Sequence, residues 1–328
     1  MLPLSLLDLA FVGPGETHRE ALANTVTFAR RAEELGYRRV WYAEHHNFAT
    51  IASSATSVVI AHVAAHTKSI RIGAGGIMLP NHSPLVVAEQ FGTLACLHPG
   101  RIDLGLGRAP GTDPTTSRAL RVDPTSADTF PDDVLELQAF LGDTSKVAGV
   151  EATPGKGTNV PLYILGSSLF GARLAARLGL PYGFASHFAP AALEQAVALY
   201  RREFRPSAQL EKPHVIAGLN VVAADSAAEA RTHFEAVQRM RVKVLLGRNL
   251  DLTDEEAQAV LDSPAGAQIK AMATYSAVGT ASEVAAYVER FEALSGADEL
   301  IVVHPAPTLE ARLRSLELLA TSAAATAA

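Results

Sequence analysis

The chain of 328 residues has one cysteine, Cys96, so no intramolecular disulfide can form and a secreted, disulfide-held scaffold is excluded. Charge is sparse, with 19% of residues Asp, Glu, Lys or Arg and a formal net charge of -6. The basic residues are scattered rather than striped, which leaves no electrostatic footprint for nucleic acid. No apolar run reaches about 18 residues, so no membrane-spanning helix is expected. The opening segment MLPLSLLDLAFVGPGE lacks the basic first region of a signal peptide, which makes the cytoplasm the expected compartment. A G-x-G-x-x-G loop is missing too. After the first apolar run stands Gly13-Pro14-Gly15-Glu16, which argues against the rival architecture, a doubly wound open sheet with a nucleotide site after its first strand.

What is plentiful is apolar side chain, 48% of the residues, enough to bury a large core and to argue against disorder. Short apolar runs alternate with longer amphipathic stretches about eight times, the pattern of parallel β/α units. Strands are expected at Leu4 to Val12, Arg39 to Glu44, Ile70 to Met78, Ile102 to Leu106, Leu162 to Gly166, Tyr182 to Ser186, Val215 to Ala223 and Leu300 to Val303. Helices are expected at His18 to Leu35, Ser54 to His66, Ser83 to Leu97, Asp132 to Leu141, Leu169 to Leu178, Ala191 to Phe204, Ser282 to Leu294 and Leu309 to Leu319. Gly36 stops the first helix, because glycine tolerates a left-handed cap. The expected fold is one (β/α)8 barrel domain over 1–328, with rim insertions at about 107–131, 142–160 and 247–276, since such barrels commonly run to about 250 residues or more. The alanine-rich tail after Thr321 is expected to fray, and Cys96, mid-helix, to be a packed core thiol.

In a β/α barrel the active site lies at the carboxyl ends of the strands. Four stretches there carry polar or glycine residues: AEHHN (43–47), IGAGGIMLPNHSP (72–84), GRIDLGLGRAPGTD (100–113) and LYILGSSLFGARLAARLG (162–179). Gly166, Ser167 and Ser168 end the fifth strand and open a helix, whose free N–H groups suit a phosphate; an ordinary N-cap is the bland alternative. Arg108 and, ten residues on, Arg118 can pair with a phosphate dianion or serve in structural salt bridges. Gly75-Gly76 would let a flat ring approach the backbone, or mark a β-bulge. His45 and His46 should diverge on a strand, so one of them faces a ligand; a metal site competes, but no Cys or Glu cluster with zinc spacing accompanies them. His82 and His187 end strand-like runs and are candidates for lining the mouth.

In the order and spacing of these four stretches the chain resembles the bacterial luciferase-like flavin-dependent monooxygenases, especially small single-chain members, over nearly its whole length. The resemblance implies that Arg108, Arg118, Gly166, Ser167 and Ser168 hold the phosphate of FMN, and that a non-proline cis peptide at Gly75-Gly76 lies beneath the flavin ring. It implies that His45 sits beside the ring, where imidazole donates a hydrogen bond or passes a proton near neutral pH. It further implies reduced FMN as co-substrate, a flavin reductase that supplies it, O2, a small-molecule substrate, and dimerisation. Gly107 stands where the family has a reactive cysteine, so neither thiol chemistry beside the flavin nor light emission follows. Deazaflavin-dependent hydride transfer and a non-catalytic FMN-binding role are the alternatives.

Overall fold

The computed structural model describes residues 1–109, 111–246 and 252–327, and of 324–327 the backbone alone. Pro110 in the expected 107–131 insertion, and 247–251 at the start of the last one, lie outside the described residues. Nine strands are present among the described residues: β1 (Leu4–Asp8), β2 (Arg39–Tyr42), β3 (Arg71–Met78), β4 (Ile102–Gly107), β5 (Leu162–Gly166), β6 (Tyr182–Phe184), β7 (Val215–Ala223), β8 (Ser276–Gly279) and β9 (Glu299–Val303). The first seven pair in chain order, and β9 closes the ring between β7 and β1, all in parallel. The expected eight-stranded closed barrel is therefore the observed one. Both faces of these strands are covered, which is why β7, VIAGLNVVA, is apolar except for Asn220 and is buried at every position.

Strand β8 is an addition that the sequence pattern does not announce. Asn220 of β7 pairs with Val303 on one edge and with Ser276 on the other, so β8 prolongs the edge that β6 occupies lower down. Four residues, Ser-Ala-Val-Gly, are too short and mixed to stand out as a strand. β1 is shorter than expected, ending at Asp8, because Ala10 takes a positive φ of 50° and its N–H bonds Asp8 Oδ1 at 3.0 Å.

The helices α1 (His18–Glu34), α2 (Thr56–Ala65), α3 (Pro84–Leu97), α4 (Pro114–Ala119), α5 (Phe130–Leu141), α6 (Leu169–Leu178), α7 (Leu193–Glu203), α8 (Ala227–Leu246), α9 (Asp254–Leu261), α10 (Pro264–Ala271), α11 (Ala281–Ser295) and α12 (Leu309–Ala327) connect and cover the strands. Thr17 and Glu20 cap α1 reciprocally, and Gly36 follows it with φ of 80°. Helix α8 has no counterpart in the sequence reading: its buried residues are only Ala230, Val237, Gln238 and Val242, so its apolar periodicity is weak. The described part of the segment expected as a rim insertion at 247–276 contains α9 and α10 and ends on Ser276, the first residue of β8. The 142–160 segment holds no helix or strand and packs on α3, where a Cβ on Gly92 would lie 2.1 Å from Gly155 Cα. Two expectations are corrected. The tail does not end its helix near Thr321 but continues to Ala327, alanine being the best helix former. Cys96 is exposed rather than packed, because α3 buries the face carrying Val87, Ala88, Phe91, Gly92 and Leu94.

The barrel interior is filled in layers. Leu7, Trp41, Ala43, Tyr163, Ile216, Ile301 and Val303 form its apolar cluster. Below them, at the amino ends of the strands, Arg39 donates to Asp103 at 2.7 Å and to Glu299 at 3.2 Å, and its guanidinium lies over the Trp41 and Tyr163 rings. This paired plug closes the bottom, leaving the carboxyl ends as the open end.

Candidate active site

Glu44, Gly75, Arg108 and Ser167 all lie toward the carboxyl ends of β2, β3, β4 and β5, at one rim of the barrel. At the end of β5, the chain turns through Ser167 and Ser168 into α6. Ser168 is the N-cap residue by position but makes no side-chain cap bond, so the ordinary N-cap alternative is not what its hydroxyl does. The Tyr182 hydroxyl donates to Ser168 O at 3.0 Å and fixes the turn. A Cβ on Gly166 would meet nothing nearer than 3.8 Å, so packing within the protein does not require glycine there.

Arg108 leaves β4 toward the same helix end, its guanidinium carbon 4.0 Å from the centre of the Phe170 ring. Among the described residues it forms no ion pair, and neither does Arg118. Phe170 therefore orients Arg108 by cation–π contact while leaving its N–H groups available. Arg118 stands apart on α4 and donates to Thr115 Oγ1 at 3.3 Å. The structure thus brings Arg108, Gly166, Ser167 and Ser168 together and does not bring Arg118 into contact with them.

At β3 the register against β4 shifts between Ala74 and Ile77, and the Gly75-Gly76 peptide is cis. Added Cβ atoms would lie 2.9 Å from Leu7 Cδ1 and Trp41 Cβ at Gly75, and 2.7 Å from Gly105 O and Leu165 Cδ1 at Gly76. Barrel packing alone therefore demands glycine at both positions. At Gly107 a Cβ would crowd only Met78 Sδ, at 2.8 Å, and that flexible side-chain end can move aside, so packing does not require glycine there.

The two histidines of AEHHN take different partners, although both lie beyond β2, which ends at Tyr42 rather than at Glu44 as expected. His46 Nε2 bonds Glu44 Oε1 at 2.8 Å, whereas the half-buried His45 ring meets Phe48 edge-on, with Nδ1 enclosed and without a partner. Burial pushes the His45 imidazole below its usual value, with Glu44 opposing and His46 adding, so it is neutral at pH 7. It can then accept or donate one bond at each ring nitrogen according to tautomer. A cavity of about 360 Å³ opens beside it, lined also by Leu22, Phe48, Ile51 and Ala52.

Glu44 is a residue whose part the sequence does not reveal. Buried, it accepts from His46, from His82 at 2.9 Å, from Met78 N at 3.0 Å and from Asn81 at 3.1 Å. Burial acts to raise its carboxyl, but the His82 bond and charge, with His46 and the Met78 amide, outweigh that and hold it low. His82 is thereby engaged at the rim. His187 packs over Gly218, its Nδ1 enclosed and unpartnered, and burial takes it down to about 4.

One rim of the closed parallel barrel thus carries the uncapped end of α6, an arginine held over Phe170 with no ion pair among the described residues, and His45 with an enclosed, unpartnered Nδ1. The family description "Luciferase-like monooxygenase" matches residues 2–298. A luciferase-like monooxygenase of Escherichia coli (strain K12) is 46% identical over 97% of this chain and 96% of its own. The N-acetyl-S-alkylcysteine monooxygenase of Bacillus subtilis (strain 168) is 34% identical over 97% of both. The crystal structure of apo-MsnO8 superposes with a TM-score of 0.89 at 34% identity, covering 99% of both chains. The chain belongs to the luciferase-like monooxygenase family. Two more distant structures share the fold alone: the oxygenating constituent of 3,6-diketocamphane monooxygenase in complex with FMN (16% identity, TM-score 0.69), and an F420-dependent secondary alcohol dehydrogenase (17%, 0.69).

Proposed function

We propose that this chain is the oxygenating component of a two-component monooxygenase, using reduced FMN and O2 on a small organic substrate. The observation that carries the reading is the pairing of Arg108, which has no acid partner among the described residues and is held over Phe170, with the uncapped amino end of α6 and the open space above Gly166. A phosphate dianion fits that set, because helix N–H groups and a guanidinium both favour it. Ser167 and Ser168 would add hydroxyl donors, Arg118 a second charge, and Gly75-Gly76 the floor under the ring. The chemistry supplied there is two-electron activation of dioxygen by reduced flavin, one oxygen atom going to the substrate and the other to water. His45 would hold a hydrogen bond at the reacting face and move a proton through its neutral imidazole, while Glu44 keeps the β2 and β3 loops in place.

A separate flavin reductase would supply the reduced cofactor, in keeping with the absence of a dinucleotide-binding G-x-G-x-x-G loop. The barrel would act as one domain, 1–328, and as a homodimer: α2 and α3 pack together, and Val58, Val86 and Leu97 are exposed on them. The test uses oxygen-18 gas, reduced FMN from any flavin reductase, and N-acetyl-S-methylcysteine as first candidate substrate. One labelled oxygen atom in the product is the expected result. Flavin binding without label in any thioether, ketone or aldehyde product would sink oxygenation, and tight binding of F420 in place of FMN would move hydride transfer ahead.

A further inference from the structure

Four polar atoms are enclosed without hydrogen-bond partners: Arg241 Nη1 and Gln238 Oε1 on α8, His187 Nδ1 after β6 and His45 Nδ1 after β2. Buried polar groups are normally paired, so such a set needs an explanation. Gln238 and Arg241 are three residues apart and share one face of α8. That helix packs on β7 and β8. From β7, Gly218 leaves the space that His187 fills, with Nδ1 at 2.3 Å from where a Cβ would stand. His187 is anchored through its carbonyl, which accepts from Asn220 Nδ2 at 2.6 Å, and Ser186 Oγ donates to Gly218 O at 2.6 Å.

Among the described residues Arg241 forms no ion pair and no hydrogen bond, although Arg239 and Lys243 on the same helix both reach Asp254. Arg241 is only partly exposed and its Nη1 is enclosed, and a guanidinium withdrawn that far from water without an acid is unfavourable unless something else brings the negative charge. No described carboxylate pairs with it, and burial lowers the Arg241 guanidinium, whose charge in turn presses on His187, as does His45. The three nitrogenous side chains are thus electrostatic neighbours, with His45 at the wall of the 360 Å³ cavity.

We infer that Arg241, assisted by His187, binds the carboxylate of an anionic organic substrate and so directs the rest of that molecule toward His45. This deepens the monooxygenase reading and rests on it for the word substrate. A planar carboxylate can take two parallel bonds from the guanidinium fork, which a neutral amide cannot reproduce. Gln238 then accepts from the remaining guanidinium N–H, and the enclosed atoms find their partners on binding.

The test is titration calorimetry on the full chain, with and without FMN, using N-acetyl-S-methylcysteine and its carboxamide as a matched pair. The wild type should bind the acid about ten-fold or more tightly than the amide. Arg241→Gln should erase that preference, with an unchanged circular dichroism spectrum and melting temperature, and Arg241→Lys should restore part of it. Equal affinity for both probes, no heat with either, or an acid preference that survives in Arg241→Gln would overturn the inference. If the preference is lost as expected but no labelled oxygen reaches any product, the inference stands and the monooxygenase reading falls.

Discussion

His82 Nε2 lies 2.9 Å from both carboxylate oxygens of Glu44, although the two residues are separated by 38 positions in the chain. Glu44 also accepts the Met78 amide, and its own N–H donates to Gly76 O at 3.2 Å. One buried carboxylate therefore joins the end of β2 to the cis peptide of β3 and to the turn beyond it. Thr112 Oγ1 donating to His46 O at 3.0 Å, and Asn47 Nδ2 to Thr116 Oγ1 at 3.0 Å, tie the loop after β4 to the same point.

Replacing Glu44 by Ala removes the acceptor from two imidazoles, an amide side chain and a backbone N–H at once. The expected loss is about 1–3 kcal/mol, since the half-exposed histidines can turn to water but the enclosed groups cannot. Thermal unfolding checks this: at roughly 2–4 °C per kcal/mol for a chain of this size, the midpoint should fall by several degrees. An unshifted midpoint would mean that the cluster contributes nothing to stability.

Arg108→Ala should weaken binding of FMN while leaving riboflavin, which has no phosphate, almost unaffected. Loss of a charge-assisted contact costs about 1.5–3 kcal/mol, or roughly ten- to a hundred-fold in affinity. Fluorescence titration of both flavins gives the comparison directly. Equal losses for the two would assign Arg108 a structural part through its Phe170 contact.

Replacing His45 by Ala tests its place beside the reacting face. Affinity for oxidised FMN should stay within several-fold, because one imidazole edge adds little to phosphate and ring contacts. Product formed per flavin oxidised should fall, since the donor to the developing charge is gone. The ratio of product to NADH consumed in a coupled assay measures it, and an unchanged ratio would leave His45 a packing residue.

Acid should destabilise the fold through its enclosed histidines. Burial, then the Arg312 charge, takes His304 down to about 3, while burial, then the Arg241 and His45 charges, takes His187 down to about 4. Unfolded, each titrates near 6.5, so between the two values the unfolded chain binds more protons. Stability is then complete above about pH 6.5 and declines as the pH falls toward 4 and 3. Urea unfolding at a series of pH values should show that slope, and His304→Asn should make it shallower. A flat profile between about pH 6.5 and pH 4 would contradict neutral burial of these rings.

Much of this protein can be read from its sequence, because the relevant signals are local. Short apolar runs bounded by Gly and Pro mark all eight barrel strands, and a strand's carboxyl end follows from the chain direction alone, so Glu44, Gly75, Arg108 and Ser167 could be assigned to one rim in advance. The spacing of AEHHN, Gly75-Gly76, Arg108 and Ser167-Ser168 likewise sufficed for the family. Strand β8 and helix α8 were not legible: β8 owes its existence to the exposed upper edge of β7, and α8 has too few buried residues for a clear period. Cys96 was misjudged because helical position does not tell which face meets the barrel. Nor can spacing show that Glu44 holds His82 or that Phe170 orients Arg108. Those relationships depend on distances between segments far apart in the chain, and only closure of the barrel brings them within bonding range.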